Sequence, residues 1–230
     1  MITNIRLIEN LKESYLRLKS DSCPNFIGKE KQIASEIVFN SEWDQLSDRR
    51  IDLIIVADNP GEKENKEKIY LSKNGNAGKL GRIFIEHFFE LHRKKGQVLI
   101  LNKTPFWSNK SSTLKETTGS VVKKSVGLTF EAIENFWKIN KDVKIMIFGF
   151  DKGAIMNEYF FENYDLCKNE NFKKAFYFGK HPSYGHLDGQ LASALILELK
   201  TKRRIKSIRI LSQINKLNRE KIKDDYGIRI

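Results

Sequence analysis

The sequence predicts an α/β fold in three layers, α/β/α, around a central four-stranded parallel sheet. Two observations predict it. Four short runs, at 51–57, 97–102, 143–149 and 174–179, are mostly apolar and end at turn residues, as buried strands do. The stretches between them carry apolar residues at steps of three and four, the period of amphipathic helices. Strands separated by helices pair in parallel and take helices on both faces of the sheet.

In chain order, Ile5, Ile8, Leu11, Tyr15 and Leu18 mark one face of a first helix. A second, short helix is expected over 29–39. IDLIIVA, 51–57, is the first strand, closed by Asn59-Pro60-Gly61. EKENKEKIYLSKNGNAG is polar and reads as a loop. The pattern LGRIFIEHFFELH predicts a helix from 77 to about 94. QVLILN, 97–102, is the second strand, and a loop rich in Ser, Thr and Lys follows over 107–120. Residues 121–140 read as a helix with Phe130, Ile133, Phe136 and Trp137 on one stripe. VKIMIFG, 143–149, is the third strand, with a helix through about Phe161 after it. KAFYFG, 174–179, is the fourth. Residues 188–223 read as one long or two consecutive helices. There is no internal repeat and no Pro- or Ser-rich linker, so 1–230 is expected to form a single domain with a basic helical extension over about 200–230.

The 230 residues are enough for a real core, and a 40% hydrophobic content excludes a disordered chain. The net charge of +12, from 41 Lys and Arg against 29 Asp and Glu, fits a polyanionic partner such as nucleic acid or an anionic membrane surface. Residues 200–223 hold ten Lys and Arg and one acid, Glu220. This basic face would meet DNA backbone, an anionic membrane or water. Cys23 and Cys167 are isolated, so no thiolate metal site is expected, nor any cofactor. The first 20 residues lack the apolar core of a secretion signal, and no apolar run approaches the roughly 18 residues that span a bilayer. A cytoplasmic monomer that does not enter membranes is the expectation.

In open parallel sheets, ligands bind at the carboxyl ends of the strands. The four strands run into Asp58-Asn59-Pro60-Gly61-Glu62, Asn102-Lys103-Thr104-Pro105-Phe106-Trp107, Gly149-Phe150-Asp151 and Gly179-Lys180-His181-Pro182-Ser183-Tyr184. Three of the four prolines lie in these turns, with two asparagines and a histidine. Taken singly, such residues are ordinary turn formers. Together they are more, because both asparagines stand where a rigid strand hands over to a loop, and such a position holds a side chain firmly.

The ordered set resembles the uracil-DNA glycosylase superfamily over roughly residues 51 to 190. IIVADNPG looks like that superfamily's first motif, in its Asn-containing form. VLILN at 98–102 looks like the strand whose final Asn reads the uracil edge. FGF at 148–150 sits where the family has a short Gly-containing phosphate loop, and KHPSYGHL resembles its His-Pro-Ser motif. The chain departs from the pattern at Ala57, usually Gly, at Asn59, which is Asp in the fastest branch, and at Tyr184 after His-Pro-Ser.

The resemblance implies a DNA glycosylase that flips uracil or a related damaged base out of DNA and hydrolyses its N-glycosidic bond, as in base excision repair. The alternative is a non-catalytic or differently specific nucleic-acid-binding protein of the same fold. In the first reading Asn59 holds the attacking water; an amide accepts through its carbonyl but is a very poor base. Asp58 and Glu62 are the nearest carboxylates that could substitute. Asn102 reads the base through its adjacent donor and acceptor, which match the O4 and N3–H edge of uracil. His181 donates to the charge that develops on the base O2. Gly149 and Ser183 offer a backbone N–H and a hydroxyl to phosphates. Tyr70 is a candidate stacking platform, with Phe106 and Trp107 as rivals. Tyr184 or Leu187 would wedge into the gap left by the flipped base. Each of these residues also has an ordinary use, in turn capping, core packing or helix anchoring.

Overall fold

Four strands, β1 (Ile51–Ala57), β2 (Gln97–Asn102), β3 (Lys144–Phe148) and β4 (Phe176–Gly179), form one sheet in the order β2-β1-β3-β4, parallel at every pairing. β1 is buried along its whole length, which is why its sequence runs apolar without alternation. Its one polar residue, Asp52, is matched: Arg50 Nε lies 2.7 Å from its carboxylate and the Gly96 N–H donates to it at 2.8 Å.

The structure is a computed structural model that describes residues 3–22, 37–75, 78, 81–82, 85, 96–107, 119–150, 155–179, 216, 218–221 and 223–224. Helices α1 (Asn4–Ser22), α2 (Glu62–Glu67), α3 (Gly119–Ile139), α4 (Ile155–Leu166) and α5 (Glu170–Lys173) accompany the strands. α3 packs against both α1 and α4, and helices flank the parallel sheet as in a three-layer α/β/α fold. The stripe Phe130, Ile133, Phe136 and Trp137 is buried. Phe130, Phe160 and Phe172 close over Phe176 of β4, with ring centroids as near as 4.9 Å for Phe172 and Phe176. Phe160 and Phe172 meet Phe176 edge-on and Phe130 stacks on it; such pairs add about 0.5–1.5 kcal/mol each beyond the area buried.

Several expectations need correction. In α1, Leu7 joins Ile8, Leu11 and Tyr15 in the core, whereas Ile5 is 42% exposed. Of the helix expected over 29–39, residues 29–36 lie outside the described residues and 37–39 are not helical; Ile37 makes an antiparallel bridge to Phe106. The polar stretch after β1 contains α2, not loop alone. α4 runs on to Leu166, and α5 precedes β4, where Asn169 caps it by accepting from the Phe172 N–H at 3.1 Å. Of 77–94, only residues 78, 81, 82 and 85 are described, and all are helical. Most of 188–223 lies outside the described residues; 216, 218–221 and 223–224 are helical. Among the described residues no helix is long and apolar enough to cross a membrane.

Candidate functional site

The register brings the strand exits together. Ala57 pairs with Asn102 across β1 and β2, Val56 with Ile147 across β1 and β3, and Phe148 with Gly179 across β3 and β4. Asn59, Asn102 and Gly149 therefore leave one edge of one sheet. His181, Ser183, Tyr184 and Leu187 follow Gly179 in sequence but lie outside the described residues.

Asn102 is 3% exposed, and among the described residues neither its Oδ1 nor its Nδ2 has a hydrogen-bond partner. A buried amide without partners opposes folding by about 1–3 kcal/mol per group, so such groups call for an explanation. Its backbone is bolted down. The Thr129 hydroxyl of α3 donates towards the carbonyls of Asn102 (3.4 Å) and Lys103 (3.0 Å). Thr129 is in turn hydrogen-bonded to the Tyr15 hydroxyl of α1, and Thr104 Oγ1 lies 2.7 Å from Ser125 Oγ of α3. Burial pushes the Tyr15 phenol well above its ordinary range, against the lowering by Thr129. The β2 exit is thus fixed to two helices while its terminal amide is left unsatisfied.

Asn59 is half-buried, and its Nδ2 donates to the Pro60 carbonyl at 3.1 Å. The neighbouring carboxylates are engaged. Asp58 Oδ1 accepts from Lys103 Nζ at 2.6 Å. Glu62, fully exposed at the start of α2, pairs with Lys66 at 2.7 Å, which holds its carboxyl below the usual range.

Lys103 is 0% exposed. Its ammonium donates to Asp58 and to Phe148 O at 3.1 Å, and also to Gly149 O and to Asn157 Oδ1 of α4. Sequence reasoning passed over this residue. The signal was a lysine directly behind a fully apolar strand, at a place where a long side chain has to snorkel or find partners.

Gly149 has φ of +69°, and a Cβ there would stand 2.7 Å from Asp58 Oδ2. Its N–H donates to Gly179 O at 2.9 Å and its carbonyl accepts from Lys103. That N–H donor continues the β3–β4 ladder. Glycine serves here to let the β3 exit approach Asp58 closely.

The aromatics are placed differently from the expectation of an open platform. Tyr70 is 1% exposed, donates its hydroxyl to Val38 O and meets Trp43 edge-on at 5.6 Å. Burial raises its phenol far above the ordinary range. Phe106 is also 1% exposed. Both are core rings in this arrangement. Trp107 is partly buried, and its buried indole N–H has no acceptor among the described residues.

Glu64 organises the loop between Asn59 and Tyr70. Its two oxygens accept from Gly61 N (2.7 Å) and Leu71 N (2.5 Å), and burial raises its carboxyl. Arg82 then ties Leu71 O (3.1 Å) and Tyr70 O (3.0 Å) to Glu42 (2.7 Å).

A groove of about 400 Å³ between α3 and the α4–α5 connection, lined by Phe130, Glu134, Asn163, Leu166 and Cys167 among others, contains none of the candidate residues. Among the described residues no group of three or more His, Cys, Asp or Glu is placed to hold a metal ion. No family model matches the chain, and no curated protein matches it.

Proposed function

We propose that this protein is a DNA glycosylase that flips uracil or a related damaged base out of DNA and hydrolyses its N-glycosidic bond. The observation that carries the reading is Asn102: a rigidly held, buried side-chain amide with an unused donor and an unused acceptor, at the carboxyl end of a parallel strand. A flipped base edge offers the complementary pair, and its binding would satisfy both groups at once.

In the reaction the C1′–N bond breaks, the sugar becomes cationic and the base leaves as an anion. Asn59, beside the engaged Asp58, would hold the attacking water through its amide carbonyl. Since an amide hardly deprotonates water, modest turnover is expected. His181 would donate to the base O2 as charge develops there, and Ser183 would contact phosphate. With Tyr70 and Phe106 in the core, Trp107 is the aromatic of the three best suited to stack on the base. Tyr184 or Leu187 would fill the gap in the duplex. The net charge of +12 suits a polyanionic partner, and a free Cys167 suits a reducing cytoplasm.

The test is base release from oligonucleotides carrying uracil, hypoxanthine, xanthine or a thymine mismatch. Asn59→Ala should lower turnover with binding nearly intact, because water placement matters only in the bond-breaking step. Asn102→Asp should shift preference towards cytosine, whose N4 donates where O4 of uracil accepts. Release of none of these bases by the wild type rejects the reading. Tight binding to duplex without release favours a non-catalytic nucleic-acid-binding protein, a reading that the engagement of both Asp58 and Glu62 supports.

A further inference from the structure

We propose that Lys103 is a positioning residue that sets the distance between Asn59 and Asn102, an assignment that rests on the glycosylase reading for its catalytic meaning. The sheet ladder ends at Ala57, Asn102 and Phe148. Beyond it, Lys103 N donates to Ala57 O at 2.8 Å, whereas Thr104 N reaches Asp58 O only at 3.4 Å, so the backbone pairing of the first two exits weakens one residue past the strands. The Lys103 side chain joins the β1 exit to the β3 exit. One ammonium gathers a carboxylate next to Asn59, two carbonyls of the Phe148-Gly149 turn and the amide oxygen of Asn157 on α4.

With a carboxylate, two backbone carbonyls and an amide oxygen around its Nζ, the side chain is fixed from several sides. Lys103 directly follows Asn102, and Asp58 directly precedes Asn59. The Lys103–Asp58 contact is therefore a strut between the residue that would read the base and the residue that would hold the water. Gly149 completes the arrangement, since any Cβ there would push Asp58 away. A buried ion pair is a poor means of adding stability, because desolvation offsets most of the attraction. It is a good means of fixing two loops in one geometry, and reaction rates are sensitive to displacements of about 1 Å, at the level of about 10²-fold.

The experiment compares wild type, Lys103→Met, the double variant Lys103→Met with Asp58→Asn, and Asp52→Asn as a control at the other end of β1. Tm, affinity for uracil-containing DNA, single-turnover base release and backbone order at Asn59, Asn102 and Gly149 by ¹⁵N relaxation are measured on each. Lys103→Met leaves Asp58 without its cation and lowers Tm sharply. The double variant removes both charges and recovers most of that Tm, yet base release stays down by about 10²-fold with affinity nearly unchanged, and order falls at the three positions. Asp52→Asn lowers Tm without slowing base release in the folded fraction. Recovery of base release together with Tm in the double variant overturns the proposal. If the wild type releases no base from any substrate, the glycosylase reading falls by itself. The strut is then judged by relaxation alone: unchanged order at Asn59 and Asn102 in the double variant overturns it.

Discussion

An amide sealed from water with nothing to bond opposes folding, and Asn102 holds two such atoms. A site made for a ligand tolerates this, because binding supplies the missing partners. Stability and function should then respond to substitution with opposite signs. Asn102→Leu keeps the branched shape at a somewhat larger volume and removes both unsatisfied groups, so urea denaturation should show stability unchanged or raised by up to about 1–3 kcal/mol. Base release by the same variant should disappear. A large loss of stability would mean that the amide has a structural partner after all. Gly149 presents the converse case. At φ of +69° an alanine meets about 1–2 kcal/mol of backbone strain, and its Cβ meets the Asp58 carboxylate as well. Gly149→Ala should therefore lower stability by at least that strain and displace the Asp58–Lys103 pair. A melting temperature equal to that of the wild type would contradict the local geometry.

At the scale of elements, buried phenols join one segment of the chain to another and give the fold an alkaline limit. Tyr164 of α4 is pushed up to about 12 by burial, with Arg219 pulling the other way, and Tyr15 and Tyr70 are raised as well. Below pH 10 these groups are neutral in both folded and unfolded chains, and their packing is fully effective. Above it the unfolded chain ionises first, so stability falls as pH rises from about 10 to 12 through the Tyr164 window. Tyrosinate absorbance should show these phenols titrating together with loss of far-ultraviolet circular dichroism; titration well before unfolding would show that they are not sealed. The strands were legible because buried parallel strands leave long apolar runs: 51–57 and 97–102 match β1 and β2 to the residue. α2 was not, because six residues have too little helix propensity to announce themselves. What holds α2 and the turn after it is Glu64, reaching back to Gly61 and forward to Leu71. The two asparagines of the site were visible at strand exits. The burial of Lys103 was not, since its acceptors at Asp58, Phe148, Gly149 and Asn157 are brought near by tertiary structure alone.

For the whole molecule the governing quantity is charge. If this chain of net charge +12 acts on DNA as proposed, much of its affinity comes from releasing counterions, at a slope of about −0.9 in log K against log salt for each phosphate neutralised. The basic extension takes part in this if it lies beside the strand exits, and its described residues do return to the sheet. Asn218 donates to Phe178 O at 2.7 Å, Arg219 to Phe176 O at 2.6 Å, and Lys221 sits over the Phe150 ring at 5.8 Å. Asn218 and Arg219 thereby satisfy carbonyls of the edge strand β4, so deleting the extension would disturb the fold as well as the charge. Charge reversal at exposed positions separates the two effects. Lys216 and Lys223 are exposed, and Lys216→Glu with Lys223→Glu should leave Tm nearly unchanged. Binding of duplex DNA should be followed by fluorescence anisotropy from about 50 to 200 mM salt, a range over which a protein that neutralises six or more phosphates drops about 10³-fold or more in affinity. The double reversal should flatten the slope by about 2, roughly one unit for each phosphate left without its lysine. An unchanged slope would leave the extension outside the interface, and a wild-type affinity flat across that range would remove the electrostatic basis for placing nucleic acid on this edge of the sheet.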